Sequence, residues 1–117
     1  MSFDVTMEQV KDVLLVRISG ELDHHTASRL REDMDAKLQE SGIVHVVLNA
    51  SELSFMDSSG IGVVLGRYKQ IAARGGQVYV CEIPPQVERI FEMAGLFKVL
   101  KKEEKEARAL QELGAAS

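Results

Sequence analysis

The start of the chain alternates apolar and polar residues with a period of two. Residues 3–8 alternate strictly, and after a polar step at 11–12 a second apolar run spans 13–18. Alternation of this kind is typical of strands with one buried face, and a short polar step between two such runs predicts a hairpin. We therefore expect two N-terminal strands, the second of which ends at Gly20.

Four later segments space their apolar residues by three and four, as amphipathic helices do. The pattern predicts a helix over 26–40, which stops before Gly42. A second helix has its apolar residues between 61 and 72 and ends at Gly75-Gly76. A third is predicted over 84–94 and a fourth over 103–113. Their expected apolar faces consist of Ala27, Leu30, Met34 and Leu38; Ile61, Val64, Leu65, Tyr68, Ile71 and Ala72; Val87, Ile90, Phe91 and Met93; and Ala107, Leu110 and Leu113.

Between these helices, the runs 43–48 and 77–81 are almost entirely apolar, which predicts strands covered on both faces. Residues 96–100 predict a short edge strand. Strands that alternate with helices imply a parallel sheet with right-handed crossovers. The predicted fold class is therefore α/β: a single domain over 1–117 with a mostly parallel central sheet, an N-terminal hairpin and about four helices.

In such a sheet the connections that follow the parallel strands emerge at one edge, where ligands and partners bind. These connections are expected at 21–25, 50–60 and 82–85. The polar residues that this edge brings together are Asp23, His24, Asp57 and Ser58. We treat them as one candidate patch.

The charge of the chain disfavours several classes of partner. The formal net charge is −4 and the pI is about 5.4, with lysine and arginine scattered along the sequence. No basic face for nucleic acid or anionic lipid is expected. The single Cys81 continues an apolar strand, which predicts a buried thiol in a reducing compartment. The apolar runs are too short for a membrane span, and no leader pattern precedes them, so we expect a cytoplasmic protein without a membrane partner.

Other chemistries fit the residues less well. Gly60, Gly62 and Gly66 open a helix but have the spacing G-x-G-x-x-x-G rather than that of a dinucleotide loop, and no phosphate-loop motif occurs. No cofactor is expected. A serine followed by a helix also resembles the nucleophile of a hydrolase, but the G-x-S-x-G motif is absent. His24 and His25 are expected to diverge and to have no third metal ligand, so we expect no metal site.

Asp57-Ser58-Ser59-Gly60 joins an expected strand to an expected helix. Asp and Ser are preferred helix N-caps, so capping alone accounts for the residue types. If Asp57 is the cap, Ser58 is the first helical residue and its hydroxyl faces solvent. The small residues Gly60 and Gly62 would then leave the first turn accessible to another protein.

Four blocks carry a resemblance that covers the chain. GELDHHTA at 20–27, FMDSSGIG at 55–62, GRYKQI at 66–71 and GLFK at 95–98 are similar to blocks of the anti-sigma factor antagonists of the STAS domain family. The resemblance is greatest to the sporulation branch of that family. The order of the blocks is also that of the family.

The resemblance implies a partner switch rather than an enzyme. The unphosphorylated antagonist would bind an anti-sigma factor that is also an ATP-dependent serine kinase, and the sporulation sigma factor would be released. Phosphorylation of Ser58 would end the interaction, and a serine phosphatase would restore it. Ser58 is thus the implied phosphoacceptor, and Asp23 is an implied partner contact. The implied partner-binding surface comprises Asp23, His24, Asp57, Ser58, Ser59, Gly60, Ile61 and Gly62.

Two alternatives remain at this point. The first is an antagonist in a stress-response partner switch, and the second is a small serine hydrolase. Electrostatics favours a switch, because a phosphoryl group on Ser58 would add about −1.5 to −2 charges beside Asp57. We expect the N-terminus of the following helix to compensate part of that charge, so that the fold is kept while the interface is lost.

Overall fold

A computed structural model describes residues 3–40 and 42–116 of the chain. Residues 1, 2, 41 and 117 of the predicted domain lie outside the described residues. The elements are β1 Phe3–Val10, β2 Val13–Leu22, α1 Ala27–Leu38, β3 His45–Met56, α2 Ser58–Ala73, β4 Val78–Cys81, α3 Pro85–Met93, a 3₁₀ helix Leu96–Lys98, β5 Lys101–Glu103 and α4 Glu106–Glu112.

The five strands form one sheet in the order β1-β2-β3-β4-β5. β1 and β2 are antiparallel, as expected of a hairpin, and each later neighbour is parallel to the one before it. The predicted fold class is therefore confirmed. None of the helices in the described part of the chain combines the length and hydrophobicity that a membrane span requires.

The sheet buries both of its faces, but unequally. Successive side chains of a strand point to opposite faces. Leu14 and Val16 of β2 lie in the larger core with residues of α1, α2 and α3, whereas Val13 and Leu15 lie in a smaller core with Ala109 of α4. The helices α1 to α3 thus cover one face, and α4 covers the other.

Cys81 lies in the smaller core and is fully buried, which confirms the prediction from its apolar strand. Burial raises the pKa of its thiol to about 12, and the carboxylates of Glu106 and Glu82 act in the same direction. Its place in the structure is that of a small core residue.

β2 and β3 are both longer than predicted. β2 does not end at Gly20: that residue has a positive φ of 95°, the pairing register shifts just after it, and the strand continues to Leu22. β3 continues to Met56, so most of the expected loop 50–60 is strand. In the structure, all but one of the residues 51–55 are exposed, yet the segment pairs with β2 and is part of the sheet.

The prediction of an edge strand at 96–100 is wrong in position. Gly95 adopts a left-handed conformation with φ 72°, and a 3₁₀ turn follows at Leu96–Lys98. The edge strand is β5, Lys101–Glu103, which pairs with β4.

Helix ends differ from prediction by one to three residues, and α1 buries its four expected apolar residues. The prediction of burial is wrong at three other positions on the expected apolar faces. Ala72 and Ala107 are exposed, and Met93 is 89% exposed. Val63 and Ala109 are buried instead. Helical spacing indicates which face is apolar, but the extent of the elements beneath it decides which residues are covered.

Candidate functional site

The site lies where β2 and β3 end side by side. Leu22 and Met56, the last residues of these parallel strands, are opposite each other in the register. The main-chain N–H of Asp57 donates a 3.2 Å hydrogen bond to the carbonyl oxygen of Leu22. The loop that begins at Asp23 and the helix that begins at Ser58 therefore leave the same edge of the sheet, as the sequence predicted.

Asp57 connects these two segments through its carboxylate. Oδ1 accepts hydrogen bonds from the main-chain N–H groups of Ser59, at 2.9 Å, and Gly60, at 3.2 Å. Oδ2 accepts one from the main-chain N–H of His24 at 3.1 Å. With φ −107° and ψ −171°, Asp57 is extended and forms the N-cap of α2. The predicted cap is confirmed, and the bond to the neighbouring loop is an addition that capping does not require.

Ser58 is the first residue of α2 and is exposed, whereas Ser59 is half-buried. The two hydroxyl-bearing residues thus differ in accessibility, as their helical positions predicted. An enzyme that modifies a serine at this join would reach Ser58 more readily.

Gly60 and Gly62 play different parts, contrary to the expectation that both leave room for a partner. Gly60 is buried, and a Cβ there would lie 2.6 Å from Cγ of Met56 and 2.7 Å from the carbonyl oxygen of Leu22. It is needed for the close packing of α2 on the ends of the strands. Gly62 is exposed with no heavy atom within 4 Å of an added Cβ, so the expectation of open space holds there.

Asp23 uses its carboxylate within its own loop. Oδ1 accepts hydrogen bonds from the main-chain N–H groups of His25, at 2.9 Å, and Thr26, at 3.2 Å. The Thr26 hydroxyl accepts the N–H of Asp23 and donates to the carbonyl of Glu21. Burial acts to raise the pKa of Asp23, but the hydrogen bonds from His25 and Thr26 outweigh it and lower the pKa from its usual 3.8. Asp23 is therefore an anionic, half-buried residue that shapes the loop.

The exposed side chain of His24 approaches the carboxylate of Asp57. Its Nδ1 lies 3.9 Å from Oδ2 of Asp57, and its side chain is 68% exposed. The rings of His24 and His25 do not diverge as expected: their centroids are 3.9 Å apart and the planes are tilted by 39°. A hydrolase would require an imidazole nitrogen on a serine oxygen, whereas the imidazole of His24 approaches the carboxylate of Asp57.

A shallow groove runs from the start of α2 to the end of α3. Its volume is about 340 Å³, and the residues that line it are Met56, Asp57, Ser58, Ile61, Ile90, Met93 and Ala94. Met93 forms part of this groove because it is not covered by the sheet. Sequence reasoning missed this part of the site, since the spacing of α3 placed Met93 on the buried face.

The main-chain donors at the start of α2 are largely in use. Asp57 accepts the N–H groups of Ser59 and Gly60 with its side chain and that of Ile61 with its carbonyl. The expectation that this helix end compensates a phosphate on Ser58 is thus weakened: the carboxylate of Asp57 already receives two of the donors, and it adds a negative charge.

Across the ranges 3–40 and 42–116, no group of three or more His, Cys, Asp and Glu side chains has the arrangement of a metal site. The polar residues at the edge of the sheet are instead arranged around the Asp57 carboxylate. These residues place the solvent-exposed hydroxyl of Ser58 beside the fixed carboxylate of Asp57.

Comparison with known proteins assigns the fold to a family. The profile of the STAS domain matches residues 4–109. An anti-sigma F factor antagonist from Paenibacillus polymyxa is 47% identical over 117 residues, which are 100% of both chains.

Two solved structures of SpoIIAA also resemble the chain. The anti-sigma factor antagonist SpoIIAA in its unphosphorylated form has a TM-score of 0.74 at 27% identity, with 97% of this chain and 98% of that one covered. The phosphorylated form of the Bacillus cell fate determinant SpoIIAA has the same TM-score at 29% identity, with 94% and 99% covered. By its sequence and its five-stranded sheet, the chain belongs to the STAS domain family.

Proposed function

We propose that this chain is an anti-sigma factor antagonist controlled by phosphorylation. The unphosphorylated form binds an anti-sigma factor that is also an ATP-dependent serine kinase, and the sporulation sigma factor is released. Phosphorylation on Ser58 ends the binding, and a serine phosphatase restores it. The chain acts in the cytoplasm by binding, and catalyses no reaction itself.

The names of the relatives support the antagonist role. The Paenibacillus polymyxa protein that matches the whole chain is an anti-sigma F factor antagonist, and SpoIIAA is an anti-sigma factor antagonist with a phosphorylated form. The chain resembles the two forms of SpoIIAA equally well in overall fold. This is consistent with a modification that changes a surface rather than the fold.

The single observation that carries the assignment to Ser58 is its position. It is exposed at the first turn of α2, next to an Asp57 carboxylate that is held in place by three main-chain donors. A kinase reaches an exposed hydroxyl of this kind without unfolding the helix. Ser59, half-buried one residue later, is the less accessible of the pair.

Charge explains why phosphorylation would end binding. Ser58 and Asp57 border the apolar groove that contains Ile61 and Met93, a surface that a partner covers by removing water. A phosphoryl group adds about −1.5 to −2 charges there at pH 7. A buried dianion beside Asp57 costs much more than the neutral hydroxyl unless the partner supplies cations.

The proposed partner surface has an outer and an inner part. Its outer part consists of exposed or half-buried residues, namely Asp23, His24, Asp57, Ser58, Ser59, Ile61 and Gly62. Gly60 is buried and acts through the packing of α2. Met93, at the far side of the groove, extends the surface beyond the residues that the sequence indicated.

The proposal is tested by capture of partners. The unphosphorylated protein and Ser58→Asp are used as paired baits in extracts of sporulating cells, and bound proteins are identified by mass spectrometry. The proposal predicts that an anti-sigma factor kinase is retained by the wild type and lost with Ser58→Asp. Retention of a stress-response kinase instead would assign the chain to that partner switch, and retention of neither would contradict the proposal.

A further inference from the structure

His24 lies where the two segments of the site meet. Its main-chain N–H is bound to Oδ2 of Asp57, and its imidazole Nδ1 lies 3.9 Å from the same oxygen. The ring is 68% exposed, so it remains open to a group attached nearby. The main-chain bond fixes the position of the residue, whereas the ring is accessible from solvent.

A phosphoryl group on Ser58 would be stabilised by a positively charged side chain nearby. Asp57 already accepts the N–H groups of Ser59, Gly60 and Ile61, and its carboxylate would repel a phosphate on the adjacent residue. The residues that line the neighbouring groove include neither lysine nor arginine. On the other side of Asp57 lies the imidazole of His24, a side chain that can carry a positive charge.

The titratable neighbours of His24 come from its own loop and from the join of β3 and α2. Asp57 faces it from the join of β3 and α2. His25 stacks on its ring within the same loop, and the carboxylate of Asp23 is turned toward the main chain of His25 and Thr26. Phosphoserine changes from one to two negative charges at about pH 6, so a cation beside it would shift the pH of that change.

We propose that His24 is a positioning residue of the switch, whose imidazolium pairs with the phosphate on Ser58 and keeps the 23–26 loop attached to α2. The proposal rests on Ser58 being the phosphorylated residue. Pairing of His24 offsets the repulsion between the phosphate and Asp57. Without this pairing, the repulsion would loosen the loop from α2.

The test uses protein with phosphoserine inserted at position 58 during translation, which removes any dependence on the kinase. The ³¹P chemical shift of the phosphoserine is followed against pH in the otherwise unchanged protein, in His24→Gln and in His25→Gln. Because the bond to Asp57 comes from the main chain of His24, His24→Gln retains it. Thermal unfolding confirms that each variant is folded.

A nearby cation favours the dianion, so the phosphate should titrate at lower pH when His24 is present. We expect His24→Gln to move the titration midpoint upward by roughly half a pH unit, and His25→Gln to move it less. Equal midpoints in all three proteins would overturn the role of His24. Such a result would leave the proposed function intact. The proposed function fails separately if the kinase does not phosphorylate Ser58 in the wild-type protein.

Discussion

Gly60 and Leu22 are in contact with no room for a side chain between them. A Cβ on Gly60 would lie 2.7 Å from the carbonyl oxygen of Leu22 and 2.8 Å from its Cγ. The first turn of α2 therefore rests directly on the end of β2. This contact fixes the position of Ser58 relative to the edge of the sheet. The packing of Gly60 therefore also determines the geometry of the site.

We predict that Gly60→Ala destabilises the protein. The added methyl group must displace main chain at Leu22, and overpacking of this kind costs about 1–3 kcal/mol. Gly62→Ala is the matched control two residues along the same helix. It meets nothing within 4 Å and should stabilise by about 0.5–1 kcal/mol through helix propensity. Urea unfolding of both variants checks this, and equal effects would contradict the packing argument.

Asp57 is predicted to matter for stability through its acceptor oxygens rather than its charge. Asp57→Ala removes an N-cap and should cost about 1 kcal/mol, with a further loss from the freed N–H of His24. Asp57→Asn keeps one carbonyl oxygen as the cap and should lose less than half as much. Denaturant unfolding gives the two values. Hydrogen exchange of the His24 amide reports the loop contact, and unchanged exchange in Asp57→Ala would contradict it.

Asp23→Ala is predicted to weaken binding to the anti-sigma factor tenfold or more. The carboxylate also holds the main chain of His25 and Thr26 within the loop. A modest fall in the thermal midpoint is therefore expected as well. Calorimetric titration measures the affinity. Affinity equal to that of the wild type would make Asp23 a residue of the loop alone.

Stability should depend on acid pH through Glu106, which anchors α4. Its carboxylate accepts hydrogen bonds from Arg17 at 3.0 and 2.8 Å and from the Asn49 amide at 2.8 Å. Arg17 lowers the pKa of Glu106 most, burial opposes this, and Asn49 adds to the lowering, so the pKa lies below its usual 4.5. The stabilisation is thus complete above pH 4.5 and is lost as the pH falls through the lowered pKa.

The variant Glu106→Gln tests this dependence. At about pH 7 it should melt a few degrees below the wild type, and the difference should shrink as the pH falls below 4.5 and through the lowered pKa of the wild-type carboxyl. Melting curves across this range provide the comparison. A difference that does not change with pH would mean that Glu106 stabilises α4 through its shape alone.

The sequence predicted best what depends on neighbouring residues along the chain. The cap at Asp57 and the exposure of Ser58 follow from residue types at a strand-to-helix join. The continuation of β3 to Met56 could not be predicted from residue types, because the polar residues of this segment pair with a strand distant in sequence. The exposure of Met93 likewise depends on where the sheet ends.

The contact between Asp57 and the loop has a similar cause. The order of strands and helices placed Asp23 and His24 at the same edge as Asp57. Which oxygen accepts which donor depends on the extra residues of β2 beyond Gly20, which set where the loop begins. The bond from His24 to Asp57 was therefore visible only in three dimensions.

The most direct test of the switch is the site of phosphorylation together with its effect on binding. The protein, Ser58→Ala and Ser59→Ala are incubated with the anti-sigma factor kinase and ATP, and phosphopeptides are mapped by mass spectrometry. Titrations then compare the binding of the unmodified protein, its phosphorylated form, Ser58→Ala and Ser58→Asp. We predict phosphate on Ser58 in the wild type and in Ser59→Ala and none in Ser58→Ala, which still binds, whereas the phosphorylated protein and Ser58→Asp bind poorly. Phosphate on Ser59 of the wild type, or undiminished binding by protein fully phosphorylated on Ser58, would contradict the account.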